Sequence, residues 1–395
     1  MGFGSGIEVG RPLVIGDVIE LEIEGIGVLR NRIVAPRVRK IRNRFRIYKR
    51  YVCADVDGKS EFIIDDYPDV TRSRLADIWK LAETPARDSA TGRVDQGNEP
   101  FEHEAPANGS VFRCVTIDPA DVLPTARLLP SLSPARRKLF VDMIQDLHRT
   151  IGTHHIPAEQ DLMKHMSMHR TDSLNLFVCL EGFPTTLNDD DEVHLQPGDA
   201  FVQLGSMHGW DLSGDKAAFI GGLLIDADRG SLTQLERPAA PKPGSRPGRF
   251  KRYVSATFRS SDKPAGRSGV LFDDFSPNEA EIHDESGKVV GWAGDIWRTS
   301  AGKADISGRE DTVTGAMRDR PGRNGITFRM VELLPHCRLP TSPERVNYYS
   351  VIRGQLRAIS EGRTIVAGRA EHIVQLKSRM LLRIRPTRRC CSLSS

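Results

Sequence analysis

Lys49-Arg50-Tyr51-Val52 recurs as Lys251-Arg252-Tyr253-Val254, and the chain is best read outward from that repetition. Phe62 to Asp66 (FIIDD) returns as Val270 to Asp274 (VLFDD), and Asp77-Ile78-Trp79 as Asp295-Ile296-Trp297. Asn108 to Arg113 (NGSVFR) returns as Asn324 to Arg329 (NGITFR), and Val202-Gln203-Leu204 as Val374-Gln375-Leu376. Five matches in one order signal a duplication. The offset grows from 202 residues (Lys49 to Lys251) to 216 (Asn108 to Asn324), as small loop insertions produce. It then falls to 172 (Val202 to Val374), so the first copy carries about 44 extra residues after Arg113. Within that excess, Ser133 to Ile151 (SPARRKLFVDMIQDLHRTI) opens on Ser-Pro, spaces its apolar residues helically and has few β-branched residues. It predicts a helix laid on the first unit.

The repeated segments are short apolar runs between turn signals, such as Asn175 to Leu180, Glu192 to Leu195 and Ala200 to Leu204. These are strand-length runs. With 35 glycines and 24 prolines among 395 residues, turns are frequent and a mainly β architecture is expected. Apolar residues make up 39% and charged residues 27%, the balance of a soluble globular protein. A net charge of +4 is too small to argue for nucleic acid or a membrane. No apolar run reaches the roughly 18 residues of a spanning helix, and the N-terminus lacks a signal-peptide layout. The six cysteines form no CxxC pair, so reduced thiols and a cytoplasmic location are expected. Arg229 to Gly248, rich in proline, glycine and basic residues, reads as a linker between the copies.

The residues with chemical potential lie in Met168 to Gly182 (MHRTDSLNLFVCLEG) and in a second block, Pro197-Gly198-Asp199 followed by Gly205-Ser206-Met207-His208. His169 and Thr171, two apart on a strand, share a face. This layout resembles the cupin superfamily, whose barrel gathers two such blocks around one metal. The first block there supplies His, His and Glu, and the second supplies His. His169 matches the first histidine and His208 the last. Thr171 stands where the second histidine is expected, and Asn175 where the glutamate is. The resemblance implies a divalent transition metal (iron, manganese, nickel or zinc) on His169, His208 and the Asn175 oxygen, held more weakly than by three histidines and a carboxylate. Thr171, Gln203, Phe177 and Trp210 are the expected pocket residues. The competing reading makes the histidines hydrogen-bonded core residues, Asn175 a supporting group, and Phe177, Phe201 and Trp210 core aromatics. His165, four residues before His169, falls on a stretch read as strand, which separates the two by roughly 13 Å, too far for a shared ion. His154 and His155, in the insertion, read as surface residues.

In the second copy, Thr341 aligns with His169 and Met380 with His208, so the ligands are lost. Its last stretch, Arg379 to Ser395 (RMLLRIRPTRRCCSLSS), stops reading like a barrel. A truncated second barrel with an open edge is expected. At the other end, Gly16 to Val34 (GDVIELEIEGIGVLRNRIV) predicts a hairpin. Residues 1–36 resemble the C-terminal end of the fumarylacetoacetate hydrolase family, whose catalytic residues lie upstream of that tail and have no counterpart here. Eight Lys or Arg in Arg37 to Arg50 permit a nucleic-acid reading, but Phe45 and Ile47 alternate with Arg44 and Arg46 as on a half-exposed strand.

The expected fold is therefore mainly β: two tandem double-stranded β-helix (jelly-roll) barrels, the second truncated, with an N-terminal hairpin and a helical insertion in the first. The partition is 1–36 remnant, 44–228 first barrel with the insertion at about 120–165, 229–248 linker and 249–395 degenerate second barrel. Similarity to duplicated cupins implies a metal-dependent oxidoreductase of the kind found in fungal secondary metabolism, acting on a small aromatic or polyketide-like molecule. The alternatives are a non-catalytic small-molecule binder with a decayed metal site and, third, a fumarylacetoacetate-type hydrolase. A small-molecule ligand is the expected partner, with no nucleic acid and no membrane. A homodimer is a candidate assembly, since barrels of this kind often pair.

Overall fold

A computed structural model describes residues 16–23, 27–32, 47–71, 74–84, 86, 95–98, 100–119, 127–212, 214–228, 236–237, 248–300, 304–307, 310–317, 325–341 and 343–384. The fold is mainly β. The N-terminal hairpin pairs β1 (Val18–Ile23) with β2 (Gly27–Arg32). The first copy contributes β3 (Arg50–Val56), β4 (Lys59–Asp66), β5 (Leu75–Leu81), β6 (Ser110–Ile117), β7 (Ser173–Glu181), β8 (Pro184–Leu187), β9 (Glu192–His194), β10 (Ala200–Leu204), β11 (Gly209–Leu212) and β12 (Ala218–Asp226). The second contributes β13 (Lys251–Phe258), β14 (Arg267–Phe275), β15 (Ala280–His283), β16 (Val289–Arg298), β17 (Thr327–Leu333), β18 (Arg338–Pro340), β19 (Val346–Ser350), β20 (Leu356–Ile359), β21 (Thr364–Ala367), β22 (His372–Leu376) and β23 (Leu381–Ile384). The insertion forms α1 (Pro134–Thr150), with Ser133 extended just before it and Pro134 in its first turn, and a short α2 (Glu159–Leu162). No helix among the described residues is long and apolar enough to cross a membrane.

The copies exchange their first hairpins. The largest sheet runs β14-β13-β10-β7-β12-β6-β5, so the hairpin of the second copy completes the sheet of the first. Reciprocally, β19-β22-β3-β4 takes in the hairpin of the first copy. The two junctions are the parallel pairs β10–β13 and β22–β3, in equivalent register: Ala200 faces Arg252, and His372 faces Arg50. The partition at residues 44–228 and 249–395 is thus redrawn. Arg50–Asp66 belongs to the second unit's sheet and Lys251–Phe275 to the first's. Smaller sheets, β11-β8-β9 and β18-β23-β20-β21, cover the far side of each unit. Most of the proposed linker 229–248, the basic residues 37–46 and the tail 385–395 lie outside the described residues.

Alternation along the strands explains how three cores arise. On β7, Leu174, Leu176, Val178 and Leu180 face a core shared by both units, together with Val52, Val202, Val254 and Val374. The opposite face of the same strand sends Phe177 and Cys179 into the first unit, beside Phe201 and Trp210. The second unit closes separately around Tyr51, Ile373 and Leu382. Strands buried on both faces read as continuous apolar runs. In the first unit β12 lies between β6 and β7. Among the described residues no strand lies between their counterparts β17 and β19, which leaves β15-β16-β17 a separate sheet, and β17 and β19 are largely half-buried.

The repeated motifs form one clamp, built twice. Ile78 has no cross-strand partner at a bulge between β5 and β6, and Ile296 none at the equivalent bulge between β16 and β17. Each freed carbonyl accepts from a fully buried arginine: Arg50 Nη1 to Ile78 at 3.0 Å, and Arg252 Nη1 to Ile296 at 3.1 Å. Each arginine also pairs with two carboxylates, Asp66 and Asp95 for Arg50, Asp274 and Asp311 for Arg252. A Cβ on Gly97 would stand 2.0 Å from Arg50 Nη1, so that glycine makes room for the guanidinium. The other shared pair is Asp77–Arg113, matched by Asp295–Arg329, each at 2.6 Å. Removing one partner of a buried ion pair strands the other charge, at a cost of about 3–5 kcal/mol. Arg252→Ala is therefore expected to lower the unfolding free energy by about that amount in urea titrations. A loss below about 1 kcal/mol, the range of a surface ion pair, would contradict the clamp.

Candidate functional site

His169 and His208 come together as the sequence predicts. Each donates its backbone N–H to the other's carbonyl, at 2.7 and 2.8 Å, in an isolated antiparallel bridge. Their ring centroids are 4.3 Å apart. His169 Nδ1 bonds the Ser167 carbonyl at 2.7 Å and His208 Nδ1 the Ser206 carbonyl at 2.9 Å. A carbonyl only accepts, so both Nδ1 atoms carry the proton and both Nε2 atoms present lone pairs. Backbone carbonyls behind the ring are the usual support for a metal-bound imidazole.

Two further histidines join this pair. His103 lies 4.9 Å from His169 between ring centroids, and His148 lies 5.8 Å from His103 and 6.1 Å from His169. The four rings form a histidine row in which His103, His148 and His169 are mutual neighbours and His208 adjoins His169. Thr153 Oγ1 bridges the two newcomers, 2.8 Å from His103 Nδ1 and 3.0 Å from His148 Nδ1. A hydroxyl has one proton, so at least one of these rings donates to Thr153 and has a lone pair at Nε2. His148 sits on the buried face of α1 with Val141 and Ile144. That i, i+3, i+7 spacing is visible in the sequence and was the signal to read. No local pattern marks His103. Its loop is held by Arg113, which donates to the carbonyls of His103 (2.8 Å) and Glu102 (2.6 Å), while His103 N–H reaches the Ile151 carbonyl at the end of α1.

Asn175 is held by hydrogen bonds at both of its polar atoms. Its Oδ1 accepts from Ser173 Oγ at 2.6 Å, and its Nδ2 donates to Thr171 Oγ1 and to Gln203 Oε1 at 3.2 and 3.1 Å. The second copy repeats the bond, Asn347 Nδ2 to Gln375 Oε1 at 3.1 Å, without histidines to accompany it. A bond kept where the ligands are absent belongs to the scaffold. Thr171 is likewise engaged: Ser173 Oγ spends its one proton on Asn175, so the Thr171 hydroxyl donates to Ser173 Oγ at 2.8 Å. Phe177 and Trp210, expected in a pocket, are buried in the first unit's core around Phe201, with centroids 5.4 and 5.1 Å from it. Gln203 Nε2 is buried and has no hydrogen-bond partner. In the second copy Gln375 Nε2 donates to Thr341 Oγ1 (2.9 Å) and the Ser378 carbonyl (2.6 Å), and Thr341 itself bonds the Met380 carbonyl. Thr341 and Met380 thus meet where His169 and His208 do, and Gln203 is the donor left facing that place.

Residues 163–168 are turn and loop rather than strand. Buried His165 bonds Ser167 Oγ at 2.7 Å and is absent from the histidine row. His154 is exposed and His155 half-buried. Glu104, His154 and Asp172 are the described residues whose metal-ligating atoms all lie within 4.8 Å of one another, and Glu104 is buried, so this group is one that could hold a metal ion. Burial raises the Glu104 carboxyl, opposed by hydrogen bonds from the backbone of His154 and Asp172.

Burial dominates the electrostatics of the row. It holds His103 and His208 well below the ordinary imidazole value, and it lowers His169 against the opposing Ser167 hydrogen bond. It pushes His148 down to about 4, with help from His169 and His155. At neutral pH the row is uncharged and its nitrogens are competent ligands. The metal-free protein is therefore expected to lose stability with acid. Below about pH 6.5 the unfolded chain takes up protons that the folded row refuses, by up to about 1.4 kcal/mol per histidine per pH unit, and for His148 this continues until its folded value of about 4 is reached. Urea midpoints at pH 7 and pH 5 measure this, and a flat profile would show the row to be hydrated and charged.

No protein-family model matches the chain, and no curated protein matches it. Among solved structures, GK1651 from Geobacillus kaustophilus is similar at 11% identity over 54% of this chain and 74% of that one, with a TM-score of 0.27. AerE from Microcystis aeruginosa is similar at 10% identity over 54% of this chain and 72% of that one, with a TM-score of 0.28. Likeness at this level carries no argument about function, which rests on the site itself.

Proposed function

We propose that the chain is a metal-dependent oxidoreductase whose first β unit holds a divalent transition metal on His169 and His208. The observation that carries this reading is the bridged pair itself, two neutral imidazoles 4.3 Å apart with their lone pairs at Nε2. Iron, manganese and nickel suit imidazole donors and redox chemistry, and zinc suits the donors alone. When bound, such an ion supplies Lewis acidity towards a substrate oxygen or activates dioxygen. The chain's own residues do the rest. Ser167 and Ser206 carbonyls fix the tautomers, Thr153 orients His103, and Gln203 Nε2 is the donor for an oxygen brought to the site. A small aromatic or polyketide-like substrate follows from the likeness of the two sequence blocks to cupin oxidoreductases.

A specific observation favours a second reading, a non-catalytic small-molecule binder. Thr171 and Asn175, which stand at two ligand positions of the cupin pattern, spend their polar atoms on Ser173 and Gln203. Elemental mass spectrometry separates the readings. The His169→Ala/His208→Ala double variant is expected to contain about one equivalent less iron, manganese, nickel or zinc than the wild type. Equal metal in both, after metal-replete expression, sinks the catalytic reading. Asn175→Ala is expected to lose about 1–3 kcal/mol of stability through its stranded partners while keeping that equivalent. Loss of the metal with the fold intact would restore Asn175 as a ligand.

A further inference from the structure

The geometry points to a second divalent-cation site, outside the histidine row, formed by Glu104, His154 and Asp172. Three separate segments converge there: the loop before β6, the chain leaving α1 and the approach to β7. Every one of these residues follows a residue of the inner network, since His103 precedes Glu104, Thr153 precedes His154 and Thr171 precedes Asp172. The same segments therefore carry both the inner network and this outer group.

Glu104 Oε1 accepts the His154 backbone N–H at 3.1 Å and Oε2 accepts that of Asp172 at 2.8 Å. A carboxylate oxygen has two lone pairs, and one amide occupies one of them. His154 Nδ1 lies 2.8 Å from Asp172 Oδ2. The candidate ligand atoms of all three residues fall within 4.8 Å of one another. Glu104 is buried, the Asp172 side chain is 10% exposed and that of His154 is 58% exposed. Two carboxylates removed from water thus stand beside one imidazole, and the group opens to solvent on the imidazole side, where an ion can enter and retain water ligands. One imidazole with two carboxylates suits manganese(II) or zinc(II) rather than a soft ion. An ion there ties together the segments that place His103 and Thr153, and so stiffens the inner row without touching it.

The test titrates manganese(II) or zinc(II), each alone, into metal-stripped full-length protein and reads stoichiometry and affinity by calorimetry. Two equivalents are expected in the wild type. His154→Ala and Asp172→Asn, chosen because His154 is exposed and asparagine preserves the shape of Asp172, are expected to lose one equivalent or to bind it at least tenfold more weakly. Both should keep the equivalent that His169→Ala/His208→Ala loses. The thermal midpoint of the wild type should rise with manganese(II) more than that of His154→Ala, as mass action requires. Unchanged stoichiometry and affinity in both outer variants would overturn the site, as would a wild type that takes up no metal. An equivalent lost with His154→Ala but kept in His169→Ala/His208→Ala would uphold this site and remove the metal from the proposed catalytic centre.

Discussion

A guanidinium buried beyond reach of water is the constraint around which both halves of the molecule are built. Taking such a charge out of water costs several kcal/mol and is tolerated only where well-placed partners compensate it. Arg50 and Arg252 each find two carboxylates and one main-chain carbonyl. That carbonyl is available only because a bulge removes it from the β ladder. The exchanged strand, its hairpin partner, the bulged strand and a distant acidic loop must all be in place together. Arg50 sits in the second unit's sheet while Ile78 sits in the first's, so one side chain pins two sheets.

The hairpin exchange and the shared apolar core make the two units one cooperative body. β7 and β10 each turn one face into the inter-unit core and the other into the first unit. The strand carrying Asn175 and the one carrying Gln203 are therefore fixed from behind by the second copy. A copy that lacks counterparts of His169 and His208 still backs the strands of the candidate site, and a precise ligand arrangement requires such support.

Comparison of the copies separates scaffold from chemistry. The Asn–Gln bond across β7 and β10 reappears across β19 and β22 with the same length. What differs is what stands beside it. Thr341 Oγ1 and the Ser378 carbonyl satisfy Gln375 Nε2 in the second copy, whereas Gln203 Nε2 has no hydrogen-bond partner in the first. The insertion then adds α1 with His148 and Thr153.

Duplication, strand-length apolar runs, the N-terminal hairpin and the inserted helix were all legible in the sequence, because each rests on local periodicity and turn chemistry. The pairing of His169 with His208 was legible too, through spacing within two repeated blocks. His148 was half-legible, since its helical face could be read but not what that face covers. The exchange of hairpins was not, because Lys49–Val52 and Lys251–Val254 are near-identical and either sheet would accept either strand. Only packing in three dimensions, with each arginine meeting its own bulge and its own pair of carboxylates, decides between them. His103 and Glu104 were equally invisible: their place is set by Arg113 and by backbone donors about 50 and 70 residues away, and contacts that remote leave no periodic mark on the chain.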